Sequence, residues 1–306
     1  MVGYKPTANP MLITLKLNGA SEVEAGLGQA TYILHERGFR HHWQGVGPLS
    51  IKCFFHGRAF YDVGVGRYAV DDSSYLILND GQTYSVDIES EDEIESFCIF
   101  FEQGLAESVQ RSLTTKTSQL LDEPDRPGGA SNFFEKTYLH DEILSPALLR
   151  LRTQTSLTKH ETPSLAEQIH EVMERLLLVH TRVCRQVESI SAVRAASREE
   201  LYRRLHRARD YAAACLDEPI TLNDMARVAC LSTNHFLRTF KQAFHQTPHQ
   251  YLTRIRLERA QGLLTQTNQP VTDVCFAVGF ESLGSFSWLF RQRVGLAPDA
   301  YRKAKR

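Results

Sequence analysis

The chain has 306 residues, 42% hydrophobic and 23% charged, a balance that excludes disorder, collagen and a small disulfide-stapled scaffold and allows two domains with real cores. Its net charge of −1 conceals an asymmetry: residues 201–306 hold 16 Lys and Arg against 8 Asp and Glu, net +8, while residues 1–200 hold 19 against 28, net −9. A basic third joined to an acidic remainder points to a polyanion-binding module attached to a part that has no use for polyanions.

No apolar run is long enough to cross a membrane, and the start MVGYKPTANPMLITLKLNG lacks the basic segment and unbroken apolar core of a secretion signal. A cytoplasmic protein without a membrane partner is expected. The six cysteines, Cys53, Cys98, Cys184, Cys215, Cys230 and Cys275, form no C-x-x-C pair, so neither a zinc site nor a disulfide framework is indicated. Reduced, mostly buried thiols are expected.

Residues 10 to about 102 read as strands. Ala30–Leu34, Leu49–Phe55, Ser74–Leu78 and Phe97–Phe101 are rich in apolar, β-branched and aromatic residues, and Gly-containing turns fall at Gly45–Pro48, Gly64–Gly66 and Asn79–Gly81. Many short strands at roughly regular spacing predict a sandwich or small barrel. The pattern changes from residue 104, and Asp122–Ser131 has the Pro, Gly and Asp density of an exposed loop. A long helix is predicted from Thr162-Pro163-Ser164, with Ser164 and Glu167 at capping-box spacing. Leu165, Ile169, Val172, Leu176, Val179 and Val183 form a narrow seam, which serves equally a second subunit or the chain's own β domain. Residues 185–200 are polar and unpatterned, and the linker is placed there.

Helical periodicity dominates from Glu199, and the last hundred residues contain a repeat. Ser232, Phe236, Phe240, Lys241, Pro248 and Tyr251 recur 50 positions later as Ser282, Phe286, Phe290, Arg291, Pro298 and Tyr301. Leu222, Met225, Ala226 and Ala229 recur 49 positions later as Val271, Val274, Cys275 and Val278. Each copy reads as helix, tight turn, helix. In the first, Thr221 and Asp224 open a short helix, the turn falls at Cys230–Leu231, and Ser232 caps a second helix held by Phe236, Phe240 and Phe244. In the second, Gly279 supplies the left-handed turn residue and Ser282 caps a helix anchored by Phe286 and Phe290. Two helices joined by a short turn in a basic domain are the helix-turn-helix arrangement, whose second helix fits the DNA major groove.

This segment, about residues 203–303, resembles the DNA-binding domain of AraC-family (AraC/XylS-type) transcription regulators. The family signature runs through Gly279-Phe280-Glu281-Ser282, Phe286-Ser287, Phe290-Arg291, Gly295, Pro298 and Tyr301-Arg302, and Arg256, Ala260, Leu263 and Leu264 stand in family positions of the linking helix. The resemblance implies double-stranded promoter DNA as partner, with each recognition helix in one of two adjacent major-groove segments. Carried over, Thr233, Asn234, Leu237 and Arg238 of the first unit and Gly284, Ser285 and Trp288 of the second would face bases. Arg238 is the strongest candidate, because a guanidinium bonds both guanine acceptors. Ser232, Lys241, Ser282 and Arg291 would hold phosphates. Trp288 departs from the polar or basic residue often found there.

The family commonly places a cupin-like β-barrel sensor ahead of this domain, and the strand pattern is compatible with one. The metal site of cupin enzymes is not matched: His41 and His42 are adjacent, so on a strand they point to opposite faces, and Tyr84–Ile99 contains no His. No metal, cofactor or catalytic residue is therefore assigned. Trp43, Phe55, His56, Phe60, Tyr61, Tyr75 and Tyr84 are candidates for a pocket with apolar walls and polar tips, of which Trp43, His56, Tyr61 and Tyr84 are taken as effector-binding. Arg37 and Arg40 serve an anionic effector or an ordinary solvated loop equally well.

The fold class that follows is α+β: a β-barrel, cupin-like sensor over 1–105, a helical extension with a possible dimer contact and linker over 106–200, and an all-α double helix-turn-helix domain over 201–306. The function that follows is a ligand-responsive regulator and no enzyme. Its implied partners are DNA, an unknown small-molecule effector, RNA polymerase and a second copy of the chain, and family habit favours activation. The alternatives are a metal-dependent cupin-type enzyme with a DNA-docking domain and a ligand-independent regulator controlled by protein contacts. No G-x-S-x-G, phosphate loop or H-E-x-x-H supports an enzyme.

Overall fold

The computed structural model describes residues 13–16, 30–115, 132–156, 164–188, 190 and 195–305. The loop expected at Asp122–Ser131, residues 10–12 and 17–29 of the strand region, Thr162 and Pro163 at the start of the long helix, and residues 189 and 191–194 of the expected linker lie outside them. The chain divides into two compact units, Met1–Arg203 and Arg204–Arg306.

The first unit is an antiparallel sheet bent toward a barrel, with helices on its outer face. Its strands are β1 (Ile13–Lys16), β2 (Tyr32–Gly47), β3 (Ser50–Phe55), β4 (Arg58–Val63), β5 (Gly66–Asp71), β6 (Ser74–Leu78), β7 (Gln82–Phe100) and β8 (Thr137–Leu139). The two long strands, β2 and β7, pair from Tyr32↔Phe100 to Gly47↔Gln82, with a bulge between Gly38 and Arg40. The bulge bends the pair, as extra residues in one strand do. On one side of the bend β7 also pairs with β3, from Ser50↔Phe100 to Phe55↔Glu95. On the other side it pairs with β4, from Phe60↔Asp87 to Val63↔Tyr84. β8, a three-residue strand that the sequence did not announce, adds to β6.

Strands β3 and β6 are buried at every position; β6 accordingly reads as an apolar run after Ser74, whereas β3 buries Ser50 and Lys52 among its apolar residues. Ile51, Cys53, Phe55, Tyr75, Ile77, Phe97 and Ile99 face the helical layer. Phe54, Tyr61, Leu76, Leu78, Tyr84, Val86, Cys98 and Phe100 face the barrel interior.

The helical layer comprises α1 (Leu105–Thr114), α2 (Ser145–Ser156) and α3 (Leu165–Glu188). The expected capping box opens α3: the Glu167 amide donates to Ser164 Oγ at 3.2 Å, and the Ser164 amide donates to Glu167 Oε2 at 2.9 Å. Its seam is consumed by the unit's own core, with Ile169, Val172, Leu176, Val179 and Val183 buried against the sheet together with Met173, Leu177 and Val187. These additional residues widen the seam into the broad stripe of a helix lying on a sheet, so the seam is not a subunit contact. The polar stretch expected to be a linker is helical at both ends, since α3 continues to Glu188 and α4 runs from Ala195 to Ala214. Its polar side chains sit on solvated helix faces, which carry no apolar period.

One buried carboxylate ties the layers together. Glu95 of β7 is 2% exposed and receives His35 Nε2 at 2.9 Å, Arg37 at 3.0 Å and Arg152 Nε of α2 at 2.5 Å. Their hydrogen bonds and charges overcome its desolvation and hold its pKa down at about 2. Arg37, which the sequence offered to an anionic effector, is thus engaged by Glu95, and Arg40 stands 3.8 Å from Glu89 with both side chains exposed.

The second unit is helical: α5 (Leu222–Val228), α6 (Thr233–Phe244), α7 (Pro248–Gln266), α8 (Val271–Ala277), α9 (Leu283–Val294) and α10 (Pro298–Lys305) follow the C-terminal turns of α4. None of the described helices is long and apolar enough to cross a membrane.

Candidate nucleic-acid interface

Helix α5 begins where its sequence provides a reciprocal cap: the Asp224 amide donates to Thr221 Oγ1 at 3.2 Å, and the Thr221 amide donates to Asp224 Oδ2 at 3.0 Å. The Thr221 hydroxyl, which donates to Asp224 Oδ2 at 2.6 Å, and the Thr221 amide hold the Asp224 carboxyl below its ordinary pKa. The helix ends in a left-handed residue, Cys230 (φ 51°), and the Leu231 amide reaches back to the Ala226 carbonyl at 3.0 Å. The second copy ends α8 the same way. Gly279 (φ 80°) is left-handed, and the Phe280 amide donates to the Cys275 carbonyl at 3.1 Å. Both turns are six-residue closures around a left-handed residue.

The turns set the angle at which α6 and α9 leave, and buried aromatics fix it. Phe236 and Phe240 are wholly buried, with Phe240 stacked near Phe244 (4.5 Å) and Tyr251 (5.9 Å). Phe286 and Phe290 match them, beside Phe280 (5.2 Å) and Tyr301 (5.5 Å). Between the copies, α7 is capped by Thr247 and Gln250, carries Pro248 in its first turn and buries Leu257, Ala260 and Leu264. Arg256 of α7 donates to the carbonyls of Leu216 and Glu218, both at 2.7 Å. Its place in the sequence pattern is therefore explained by satisfying chain ends rather than by meeting a partner.

With the aromatics pointing inward, the opposite faces are open. Asn234, Leu237, Arg238 and Lys241 of α6 are exposed, as are Gly284, Ser285, Trp288 and Arg291 of α9. Trp288 is 63% exposed, unusual for an indole and consistent with a contact surface. Thr233 is half-buried, and its hydroxyl lies 3.4 Å from Asn223 Oδ1 of α5, so it braces the unit more than it faces outward. Ser282 caps α9 by accepting the Ser285 amide at 3.2 Å. Ser232 departs from expectation: it occupies the cap position of α6, but its side chain makes no cap hydrogen bond, leaving the first amides of α6 free of that partner. The sequence reading also passed over His235, exposed and 50 positions before Ser285. The repeat itself carried that signal.

In the first unit, three of the four effector-binding candidates meet. Trp43 and Tyr84 rings lie 4.8 Å apart, and Tyr61 and Tyr84 rings 5.8 Å apart, inside the barrel. His56 does not join them. It is exposed in the turn between β3 and β4, with φ 64°. Phe55 and Tyr75 face the helical layer instead, and Phe60 lies under Arg67. Among the described residues, no group of three or more His, Cys, Asp or Glu side chains is placed to hold a metal ion.

Comparison with known proteins bears on the second unit. Residues 225–304 match the helix-turn-helix domain family. Among curated proteins, the probable transcriptional regulator LumQ of Photobacterium leiognathi is 34% identical over 93 residues, 30% of this chain and 38% of that protein. The melibiose operon regulatory protein of Escherichia coli K12 is 32% identical over 87 residues, 28% of this chain and 29% of that protein. A solved transcriptional regulator of Chromobacterium violaceum, described as containing an AraC-type DNA-binding domain, is 29% identical and covers 37% of this chain and 96% of its own, with a TM-score of 0.32. The match thus spans about a third of the length of the curated relatives. The paired turns, matched aromatics and family signature identify residues 225–304 as a helix-turn-helix domain of the AraC type.

Proposed function

We propose that the chain is a transcription regulator that reads promoter DNA with α6 and α9 and responds to a small molecule held in the β-barrel. The observation that carries the DNA-binding part is the pair of outward faces. Two helices, set by equivalent turns, present Asn234, Leu237 and Arg238 on one and Gly284, Ser285 and Trp288 on the other, in a region of net charge +8. Arg238 reads guanine, Lys241 and Arg291 bond phosphates, and the uncapped amides of α6 beside Ser232 accept another phosphate. Both curated relatives described above bear regulatory names, which supports the same reading.

The sensing part is supported by the aromatic cluster of Trp43, Tyr61 and Tyr84 inside the barrel. In this reading residues 1–105 sense, 106–200 support and connect, and 201–306 bind DNA. Activation through RNA polymerase follows family habit. A second copy of the chain would meet the outer face of the helical layer, where Leu149 and Leu178 remain 43% and 53% exposed. The test is selection of DNA fragments retained by the full chain from a random pool, repeated at rising salt. A recovered motif of two blocks, with retention falling steeply as counterions compete, is expected. Retention without sequence enrichment, or none at low salt, would overturn the reading.

A further inference from the structure

Two buried ionic groups of the first unit, Glu95 and Lys52, are treated in opposite ways. Glu95 is held by two guanidinium groups, those of Arg37 and Arg152, and by the imidazole of His35. Lys52, at the centre of β3, is 1% exposed and has no carboxylate partner among the described residues. Its register neighbours are Leu76 on β6 and Cys98 on β7, so it projects into the barrel interior. Its Nζ lies 3.2 Å from the Tyr84 hydroxyl and 3.5 Å above the Phe100 ring, which stacks on Tyr32 at 4.5 Å. Ser50 and Ser96, which share that face by strand alternation, carry buried hydroxyls without a hydrogen-bond partner among the described residues.

An isolated ammonium in such surroundings costs several kcal/mol, and proteins avoid the cost by pairing it or by removing its proton. Around Glu95 the chain uses arginine, whose planar fork suits a carboxylate. A lone lysine in an aromatic interior is suited instead to amine chemistry. We propose that Lys52 is a reversible covalent anchor, and that the barrel takes small aldehydes or ketones as imines on Lys52 Nζ. The proposal rests on the reading of the barrel as the sensing part, and names the chemical class it senses.

In the step, the Nζ lone pair attacks the carbonyl carbon to give a carbinolamine. One Nζ proton passes to the carbonyl oxygen as the carbinolamine forms; the Tyr84 hydroxyl then protonates that hydroxyl, the C–O bond breaks to release water as the nitrogen lone pair forms the C=N bond, and the remaining Nζ proton restores Tyr84. One C=N bond forms and one water leaves, with no oxidant or reductant required. Two observations bear on the proton inventory: burial lowers the Lys52 pKa to about 8, and it raises that of Tyr84 far enough to keep the phenol protonated. The other titratable groups facing this interior are Cys98 of β7, Tyr32 and Glu36 of β2, Tyr61 of β4 and Tyr68 of β5. Cys98, Tyr32, Tyr61 and Glu36 are all pushed toward their neutral forms by desolvation. The ligand is small because the interior is filled: Leu76 and Leu78 are fully buried and Tyr61 is 2% exposed.

The experiment treats the full chain with acetaldehyde and sodium cyanoborohydride, which reduces an imine to a stable ethylamine, and maps the product by peptide mass spectrometry. Lys52 is expected to be ethylated about tenfold faster than the exposed Lys303 and Lys305, half-maximally near pH 8. Tyr84→Phe, which keeps the ring, is expected to slow trapping at Lys52 several-fold while leaving Lys303 unchanged. Lys52→Met shows by circular dichroism that the fold does not need the amine. The proposal fails if Lys52 stays unmodified while Lys303 and Lys305 react, or reacts no faster than they do. It fails equally if acetate raises the melting temperature of the parent but not of Lys52→Met while trapping is absent, since Lys52 is then a counter-ion. DNA retention measured on the trapped protein separates the two readings: an adduct at Lys52 that leaves retention unchanged keeps the imine site and removes the sensing role.

Discussion

The two helix-turn-helix copies close their turns with the same backbone bonds and differ in the residues that carry them. In the second copy, both left-handed positions, Gly279 and Gly295, are glycine. In the first, they are Cys230 and His245, side chains that pay a steric cost in that conformation. The open faces differ in the other direction: the first offers Asn234, His235 and Arg238, and the second Gly284, Ser285 and Trp288 at the corresponding sites. The first copy thus combines a strained frame with a polar reading face. The second combines a relaxed frame with a face poor in hydrogen-bonding groups.

The largest effect is expected where the frame is tightest. A Cβ at Gly279 would collide with the Leu216 carbonyl oxygen and with the Arg256 guanidinium that holds it, on top of an unfavourable φ. Gly279→Ala should cost about 3 kcal/mol or more, seen as early unfolding of the second unit by Trp288 fluorescence. Cys230 occupies the equivalent turn with a side chain already in place, so a Cβ is tolerated there. If Gly279→Ala melts with the parent, the two turns are not held by equivalent contacts.

The reading faces give the next effect. Arg238→Ala removes a planar donor pair and should cost about 1–3 kcal/mol of binding, relaxing preference at one base position. Trp288→Ala removes apolar contact with thymine methyls and should flatten preference only modestly. Binding-site selection on both mutants beside the parent checks this. Greater loss of specificity in Trp288→Ala would reverse the assignment of the two helices.

How much of this was legible beforehand follows the range of the contacts. The helices of the repeat, their aromatic anchors and Gly279 were readable because caps, periodicity and turn chemistry act over a few residues. The α3 capping box of Ser164 and Glu167 was readable for the same reason. The Glu95 cluster joins residues up to 60 positions apart, and Lys52 meets Tyr84 across 32; strand pairing, the bending of the sheet toward a barrel and helix docking make these contacts, and no local pattern encodes them. His56 was grouped with Trp43, Tyr61 and Tyr84 because aromatic and polar-tipped residues look alike in sequence, whereas a left-handed turn placed it in solvent. The α3 seam left a second subunit and the chain's own β domain equally open because its narrow spacing was legible and the flanking Met173, Leu177 and Val187 that widen it were not weighed.

A smaller effect should follow from relieving the first frame. Cys230→Gly and His245→Gly each replace a left-handed side chain with the residue the second copy uses, and each should stabilise the first copy by about 1 kcal/mol or less, because glycine's greater unfolded freedom offsets part of the relief. Thermal unfolding of the full chain is the measurement. A loss of stability at Cys230→Gly would mean that the thiol makes a contact worth more than the strain.

The smallest effect separates the caps. Ser282 accepts the Ser285 amide at 3.2 Å, whereas Ser232, its image 50 positions earlier, makes no cap bond. Ser282→Ala should therefore cost about 1 kcal/mol of stability, the usual worth of an N-cap, and Ser232→Ala almost none. DNA binding should rank them the other way. The amides of α6 have no side-chain cap to displace, so a phosphate can approach them directly beside the Ser232 hydroxyl. The phosphate at α9 must share its amides with Ser282. Ser232→Ala should then leave melting unchanged, weaken binding to all sequences alike and lower the salt slope slightly. A drop in melting temperature for Ser232→Ala equal to that for Ser282→Ala would show that the two helices are capped alike in solution, and the asymmetry between the copies would reduce to their reading faces.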